Sequence, residues 1–191
     1  MQVIGGIKGS IDIWELALLP SLMINSETWT EITEDDYELL EDIQRLFFRT
    51  ILQVPISCPK SAFCWETGSL QMRYRVYEKK LNLGKYLQQM DKNSLAFKIY
   101  SEQKRLKLPG LIKECIEIAE ELKIVNEFEN YKINLKTFKK IVKKAIKIEN
   151  EYSLRGKIEK SEKIKVYKDE NFTMKDYFND LTVDECRTKF R

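Results

Sequence analysis

Few side chains in this sequence have the type and spacing that enzyme chemistry requires. The 191 residues include no histidine, which excludes His-based general acid–base catalysis and the Ser-His-Asp and Cys-His arrangements. The four cysteines form no Cys-x-x-Cys pair, so zinc sites of the usual spacing are excluded as well. These cysteines are Cys58, Cys64, Cys115 and Cys186. We expect reduced, mostly buried thiols and no metal or other cofactor.

Two short motifs have a superficial likeness to nucleotide chemistry. Asp35 and Asp36, beside Tyr37, match the paired aspartates of a polymerase active site, but those lie on a β-hairpin. Here the pair follows Thr33, which can cap a helix, and the acidic side chains then lie at the positive end of the helix dipole. The N-terminal GGIKGS lacks the Gly-Lys-Ser/Thr order of a phosphate-binding loop. The sequence therefore predicts a chain that is not itself an enzyme.

Charge is distributed unevenly along the chain, although the net formal charge is only +3. Residues 1–71 carry 4 Lys or Arg against 11 Asp or Glu, residues 72–168 carry 25 against 13, and residues 169–191 carry 4 against 6. Clustered basic side chains raise the local concentration of phosphates, so the middle segment favours a polyanionic partner. The alternative is a lysine-rich surface that is merely solvated.

Composition and periodicity predict an all-α fold. Hydrophobic residues make up 43% of the chain and charged residues 33%, while only 7 Gly and 4 Pro are available for turns. The predicted helices span residues 11–24, 33–54, 70–90, 94–107, 111–122 and 134–151. The first should bend near Pro20, and 55–68 should be a connector with one helical turn. In the second helix the inward residues are predicted to be Leu39, Ile43, Leu46 or Phe47, and Ile51.

The C-terminal part of the chain has a weaker helical pattern. After Glu151 the apolar spacing weakens, and RGKIEKSEKIKVYKDENF indicates a charged linker with little to bury. Thr173 begins a short helix, and Thr182 with Glu185 forms a capping box for another. We expect an irregular bundle of roughly six to eight helices with an extended charged C-terminal linker.

Three motifs, in this order, carry a resemblance to a known family: LLPSLMINSETW, LEDIQRLFFRTILQVP and CPKSAFCWETGSLQMRYRV. They resemble the region downstream of the catalytic palm in non-LTR retrotransposon reverse transcriptases. There an apolar stretch ending in Ser-Glu-Thr-Trp precedes a helix, a Trp-Glu-x-Gly connector and a basic helix. LKLPGLIKEC and the terminal DECRTKFR resemble the lineages that carry a restriction-like endonuclease. The resemblance covers residues 3–125 well and 126–180 more weakly, and the sequence departs from the family at Met23-Ile24-Asn25.

The resemblance implies a thumb-like helical domain over 1–125, a basic helix and charged linker over 126–168, and the start of a truncated helical segment over 169–191. It also implies that the fingers and palm, with their metal-binding aspartates, would precede residue 1. A zinc-binding knuckle and the endonuclease would follow residue 191. The expected function is that of a non-catalytic reverse transcriptase fragment that helps to grip the template-primer during reverse transcription.

In this interpretation, one face of the 70–90 helix contacts the phosphates of the RNA/DNA template-primer duplex, which contributes affinity and register but no sequence choice. The candidate residues on this helix are Arg73, Arg75, Lys79 and Lys80. A second candidate set, on the helix after Asn134, is Lys139, Lys140 and Lys143. For both sets the alternative is an ordinary solvated helix face. No membrane partner and no small-molecule ligand are expected.

Trp29 is predicted to be a packing residue, with base stacking as the alternative. In this prediction Leu18, Leu19, Leu22 and Ile24 pack beneath the 33–54 helix, and Trp29 fills the gap that follows.

A function of a different class also stays open, namely a stand-alone helical interaction or scaffold protein whose acidic first third binds a basic partner. The apolar run 16–24 is far shorter than the roughly 20 residues that span a bilayer. The N-terminus has no secretion signal pattern. We therefore expect an intracellular protein, nuclear or cytoplasmic.

Overall fold

The structure is a computed structural model that describes residues 6–53 and 58–160. Within these ranges every regular element is helical, which confirms the all-α prediction. The α-helices in chain order are α1 (Gly6–Ile13), α2 (Leu19–Leu22), α3 (Glu34–Leu52), α4 (Lys60–Thr67), α5 (Met72–Gln88), α6 (Leu95–Leu106), α7 (Leu111–Glu121), α8 (Val125–Glu129) and α9 (Leu135–Lys160). A 3₁₀ turn, Ser26–Thr28, precedes α3.

Pro20 is accommodated by a π-helical turn, Trp14–Leu18, between α1 and α2. The Leu19 N–H donates to the carbonyl of Trp14, five residues earlier. Proline lacks an N–H and its ring clashes with the carbonyl four residues before it, so a wider turn at this point relieves the clash. The predicted bend near Pro20 takes the form of this local widening.

The chain divides into two compact units, each built from segments that are distant in sequence. Unit 1 comprises Met1–Ile24, Glu34–Met72 and Glu151–Arg191, and unit 2 comprises Asn25–Thr33 and Arg73–Asn150. The boundaries fall inside α5 and α9, so both helices contribute residues to both units. These divisions differ from the three domains expected from the sequence, which stay a prediction.

In unit 1, α3 buries a different face from the one predicted. Its buried residues are Tyr37, Leu40, Gln44, Phe48 and Leu52. Leu39 and Leu46 are 63% and 62% exposed, so the predicted inward face is wrong. Contact with Trp14 determines which face of α3 is buried. The Trp14 ring centroid lies 4.8 Å from that of Phe47 and 5.9 Å from that of Phe48. The three acidic residues in the first turn of α3 lie where the sequence predicted them.

The segment predicted to be a connector contains a buried helix, α4. All of its residues after Lys60 are buried, and Trp65 is 0% exposed. A helix that is buried on every side shows no alternation of apolar and polar faces, which explains why the pattern did not reveal its full length. Gly68 ends the helix with a φ of 66°, a backbone conformation that glycine adopts without steric cost.

The predicted charged linker begins inside a helix. The final helix, α9, continues to Lys160, and Leu154 and Ile158 are buried beside Trp65. The Arg155 guanidinium also lies over the Trp65 ring, 5.1 Å from its centroid. This apolar and cation–π packing keeps 151–160 helical despite its charge. The rest of the linker, the helix predicted at Thr173 and the capping box at Thr182 lie outside the described residues.

In unit 2, Tyr74, Tyr77 and Leu81 of α5 are buried. Gly84 allows close packing, because a Cβ there would lie 2.9 Å from the Cys115 sulfur. Two helices of unit 2 begin with a side-chain cap. The Ser94 hydroxyl accepts from the Phe97 N–H at 3.2 Å, and the Asn134 side chain accepts from the Thr137 N–H at 2.8 Å.

Trp29 does not have the buried position predicted for it, since it is only partly buried in unit 2. Leu19 is buried as predicted, but Leu18 and Ile24 are 43% and 67% exposed. The tryptophan that packs against α3 is Trp14 instead, at 2% exposure. Burial of Trp14 gives unit 1 the large aromatic contact that the sequence assigned to Trp29.

Candidate nucleic-acid interface

One face of α5 carries a cation, an amide, an apolar side chain and an aromatic ring in succession. These are Lys79, Asn82, Leu83 and Tyr86, at relative positions i, i+3, i+4 and i+7. Residues at this spacing share one side of an α-helix. The four side chains therefore form a continuous strip about two turns long.

A second basic helix borders this strip. Leu135 and Lys139 of α9, one turn apart, close a groove with the α5 face, and Glu27 from the 3₁₀ turn lines it as well. We call this the α5–α9 groove, and its volume is about 370 Å³. All of its lining residues belong to unit 2. The fold thus brings together one cation from each of the two basic segments that the sequence singled out.

Carboxylates partly balance the cations of the groove. The Lys79 Nζ lies 3.5 Å from a Glu27 oxygen, and the Lys143 Nζ, one turn beyond Lys139, lies 3.8 Å from Glu78. The Lys143 side chain is 70% exposed. Ion pairs this exposed contribute about 0–1 kcal/mol each, so a phosphate can displace either carboxylate at small cost.

Lys80 is not a surface residue, which corrects the prediction that it contacts phosphate. Its side chain is 2% exposed, and its ammonium pairs with the Glu114 carboxylate. Glu114 also accepts the Glu31 N–H at 2.8 Å, which ties the 25–33 segment to α7. A buried cation without its carboxylate is strongly destabilising, so Lys80 has a structural role in the interior of unit 2.

The other predicted residues lie outside the groove. Arg73 and Arg75, near the start of α5, are partly buried and already have interaction partners. Lys140 is exposed next to Lys139 and does not line the groove. Of the seven predicted residues, the structure places Lys79 and Lys139 in the groove and Lys143 beside it.

Tyr86 and Glu27 are groove residues that the sequence analysis missed. The Tyr86 side chain is 50% exposed, unlike Tyr74 and Tyr77 on the same helix. The available signal for Tyr86 was the spacing, since it lies one turn beyond Asn82 on the face that also carries Lys79. Glu27 had no such signal, because its place in the groove depends on contacts between residues far apart in the chain.

The thiols of Cys58 and Cys115 are not poised for chemistry. Burial raises the pKa of Cys115 to about 12, and burial with the nearby Glu66 carboxylate raises the pKa of Cys58 to about 11. Both groups are therefore protonated and weakly nucleophilic near neutral pH. Cys186 lies outside the described residues. No cluster of three or more potential metal ligands occurs in the part of the chain that the structure describes.

No family of known proteins, no curated protein sequence and no solved structure matches this chain. Among the helices described here, none combines the length and apolarity needed to cross a membrane.

Proposed function

We propose that this chain is a non-catalytic nucleic-acid-binding module that contacts the phosphate backbone through the α5–α9 groove. The observation that carries the proposal is the convergence of Lys79 and Lys139, from two separate basic segments, on one groove, with Lys143 beside it. Lysine ammonium groups bind phosphate as point charges and read no base sequence.

The biological setting that we propose is the template-primer grip of a retrotransposon reverse transcriptase, as a fragment without its own catalytic residues. Support comes from the order of the LLPSLMINSETW, LEDIQRLFFRTILQVP and CPKSAFCWETGSLQMRYRV motifs and from the helical fold. A grip of this kind follows the duplex as it moves, so its contacts must be to backbone rather than to base edges. In this setting the protein acts inside the cell, in the nucleus or the cytoplasm, and takes no cofactor.

The test is the salt dependence of binding to an RNA–DNA hybrid template-primer, measured by fluorescence anisotropy. Three phosphate contacts give a slope of log K against log salt of about −2.7, taking the value for B-form DNA. The K79Q/K139Q/K143Q variant should bind more weakly and flatten this slope. K92Q/K98Q/K132Q, which removes three exposed lysines outside the groove, is the control with the same change in net charge. Equal binding by the groove variant and the parent at every salt concentration would overturn the proposal.

A second candidate function is protein–protein interaction through unit 1, and the exposed apolar stripe of α3 favours it. Leu39, Ile43 and Leu46 are 63%, 38% and 62% exposed, at helical spacing. Asp35 and Glu38, both exposed, lie on the same helix. The matching partner is an apolar surface flanked by Lys and Arg. A Leu39→Ser/Leu46→Ser variant that keeps nucleic-acid affinity but loses a protein partner would favour this function.

A further inference from the structure

The α5–α9 groove contains more than a phosphate contact requires. Beside its lysines it has the half-exposed ring of Tyr86 and the amide of Asn82. The Oδ1 atom of Asn82 is buried and accepts no hydrogen bond in the described structure. A buried acceptor without a donor is costly, and a ligand that donates to it removes this cost.

The order of these groups along the groove suits one nucleotide. Lys79 and Lys139 supply cations, Asn82 lies one turn along α5 from Lys79, and Tyr86 lies one turn further. Leu83 and Leu135 provide apolar lining between them. A volume of about 370 Å³ falls at the lower end of the range for small-ligand pockets, roughly 300–1,000 Å³.

Each part of a nucleotide has a partner in this arrangement. The phosphate pairs with the lysines, and a base stacks on the Tyr86 ring, an interaction that any base can make. Because its Oδ1 atom is enclosed, the partly buried Asn82 side chain must rotate before an exocyclic amine or a ribose hydroxyl can donate to it. A base inside a duplex is covered on both faces by its neighbours, so only an unpaired base has a face free for the tyrosine.

We infer that the α5–α9 groove binds an unpaired nucleotide of single-stranded nucleic acid, with Tyr86 as the stacking residue and Asn82 as the hydrogen-bond acceptor. This inference rests on the proposed nucleic-acid function and names its substrate class. The lysines then bind single strand and duplex alike, whereas Tyr86 contributes to single-strand binding alone.

The experiment compares two labelled ligands of equal length, a single-stranded RNA and a blunt RNA–DNA hybrid, by fluorescence anisotropy. Y86A should weaken binding of the single strand about tenfold or more, and Y86F, which keeps the ring, should bind within about twofold of the parent. N82A should lose about fivefold on the single strand. Both alanine variants should bind the blunt hybrid like the parent. Tyr152, 73% exposed on α9 and outside the groove, supplies the matched control Y152A.

The outcomes separate this inference from the function on which it rests. If Y86A binds the single strand as tightly as Y152A while K79Q/K139Q/K143Q weakens both ligands, the stacking site is refuted and the phosphate grip stands. An equal loss on single strand and hybrid in Y86A also refutes the stacking site, because stacking on an unpaired base cannot weaken duplex binding. If the parent binds neither ligand at low salt, both proposals fail. Circular dichroism checks that each variant remains helical.

Discussion

At the scale of single residues, Lys85 is a buried cation that closes the end of α8. Its side chain is 0% exposed, and its Nζ donates to the carbonyls of Asn130 at 2.7 Å, Phe128 at 2.8 Å and Glu127 at 3.3 Å. The Phe138 ring lies 5.3 Å away on another side. The carbonyls of Glu127 and Phe128 lie in the last turn of α8, so the ammonium takes the place of a C-terminal cap there, while the Asn130 carbonyl also accepts the Ile133 N–H at 3.2 Å.

We expect Lys85→Met to lower the free energy of unfolding by roughly 3 kcal/mol, because it removes the ammonium that donates to the buried Phe128 carbonyl and the partly buried Glu127 carbonyl. Urea denaturation followed by circular dichroism measures the change. Lys92→Met, at an exposed position, is the control and should stay within about 0.5 kcal/mol of the parent. Equal stability of the two variants would show that the carbonyls do not depend on Lys85.

The titration of Lys85 should appear in the pH dependence of stability. Burial, together with the nearby charge of Lys104, lowers the pKa of Lys85 from 10.5 to about 8. Between these values the unfolded lysine binds a proton that the folded one has released, so the Lys85 contribution to stability rises with pH across this window. Below pH 8 both states are protonated, and the contribution is constant.

The predicted rise in stability is tested by measuring the difference in unfolding free energy between the parent and Lys85→Met at about pH 7.5 and again at about pH 9.5. Taking this difference removes the contributions of other titratable groups, including those whose contribution to stability falls as pH rises. Cys115 is one of them, because burial raises its pKa to about 12 and its stabilising contribution is lost as pH rises above its ordinary value of 9.0. A parent that gains no stability relative to Lys85→Met over this range would contradict the lowered pKa of Lys85.

Two helical glycines should respond to alanine in opposite directions. A Cβ at Gly84 would lie 2.9 Å from Cys115 Sγ and 3.2 Å from the Phe128 ring, whereas one at Gly156 meets nothing within 4 Å. We expect Gly84→Ala to destabilise by about 1–3 kcal/mol through overpacking. Gly156→Ala should stabilise by about 0.5–1 kcal/mol, because alanine loses less backbone entropy in a helix. Thermal unfolding of both variants tests the pair, and a stabilising Gly84→Ala would mean that α5 can move away from α7.

At the scale of helices, the α5–α9 groove contains a charge that opposes its proposed ligand. The Glu27 carboxylate lies 3.5 Å from the Lys79 ammonium, so an incoming phosphate must replace it. We expect Glu27→Gln to tighten nucleic-acid binding about two- to fivefold at low salt, which corresponds to an exposed ion pair of up to about 1 kcal/mol. The gain should shrink as salt screens the charge.

Glu117→Gln is the control for this prediction. It makes the same change in net charge at an exposed residue that pairs with Lys113 at 3.7 Å, outside the groove. Anisotropy titrations of both variants at two salt concentrations are sufficient. If Glu117→Gln tightens binding as much as Glu27→Gln, the effect comes from overall charge, and the groove has no special part in it.

The helices also show which features of the fold can be predicted from sequence patterns alone. Capping residues and apolar spacing located α6 and α9, because Ser94 and Asn134 act within one turn of chain. For α3 the apolar spacing predicted the wrong buried face, because both sides of this helix carry apolar residues. Which side is buried depends on a contact with Trp14, which is distant in the sequence. The groove likewise combines residues that local patterns can predict with residues that only tertiary contacts bring together. Lys79 and Asn82 lie on a face visible in the sequence, but only tertiary packing places Lys139 opposite them.

At the scale of the whole molecule, charge follows the division into units. Among the described residues, unit 2 contains 19 Lys or Arg against 12 Asp or Glu, whereas unit 1 contains 7 against 11. The acidic start and basic middle of the sequence are therefore sorted into different compact bodies, although each body is discontinuous in sequence. A positive unit attracts polyanions, and a negative one repels them. This sorting supports the assignment of nucleic-acid binding to unit 2.

The chain as a whole should bind a template-primer without extending it. If the chain is the non-catalytic module proposed above, primer extension on an RNA template with magnesium and all four nucleotides should equal the blank without protein. Added to a separate reverse transcriptase, the parent should slow extension as it covers the template-primer, and K79Q/K139Q/K143Q should slow it much less. K92Q/K98Q/K132Q controls for net charge. Template-dependent synthesis by the chain alone would overturn the non-catalytic proposal, and equal inhibition by the groove variant and the parent would show that the enzyme is slowed by something other than the α5–α9 groove.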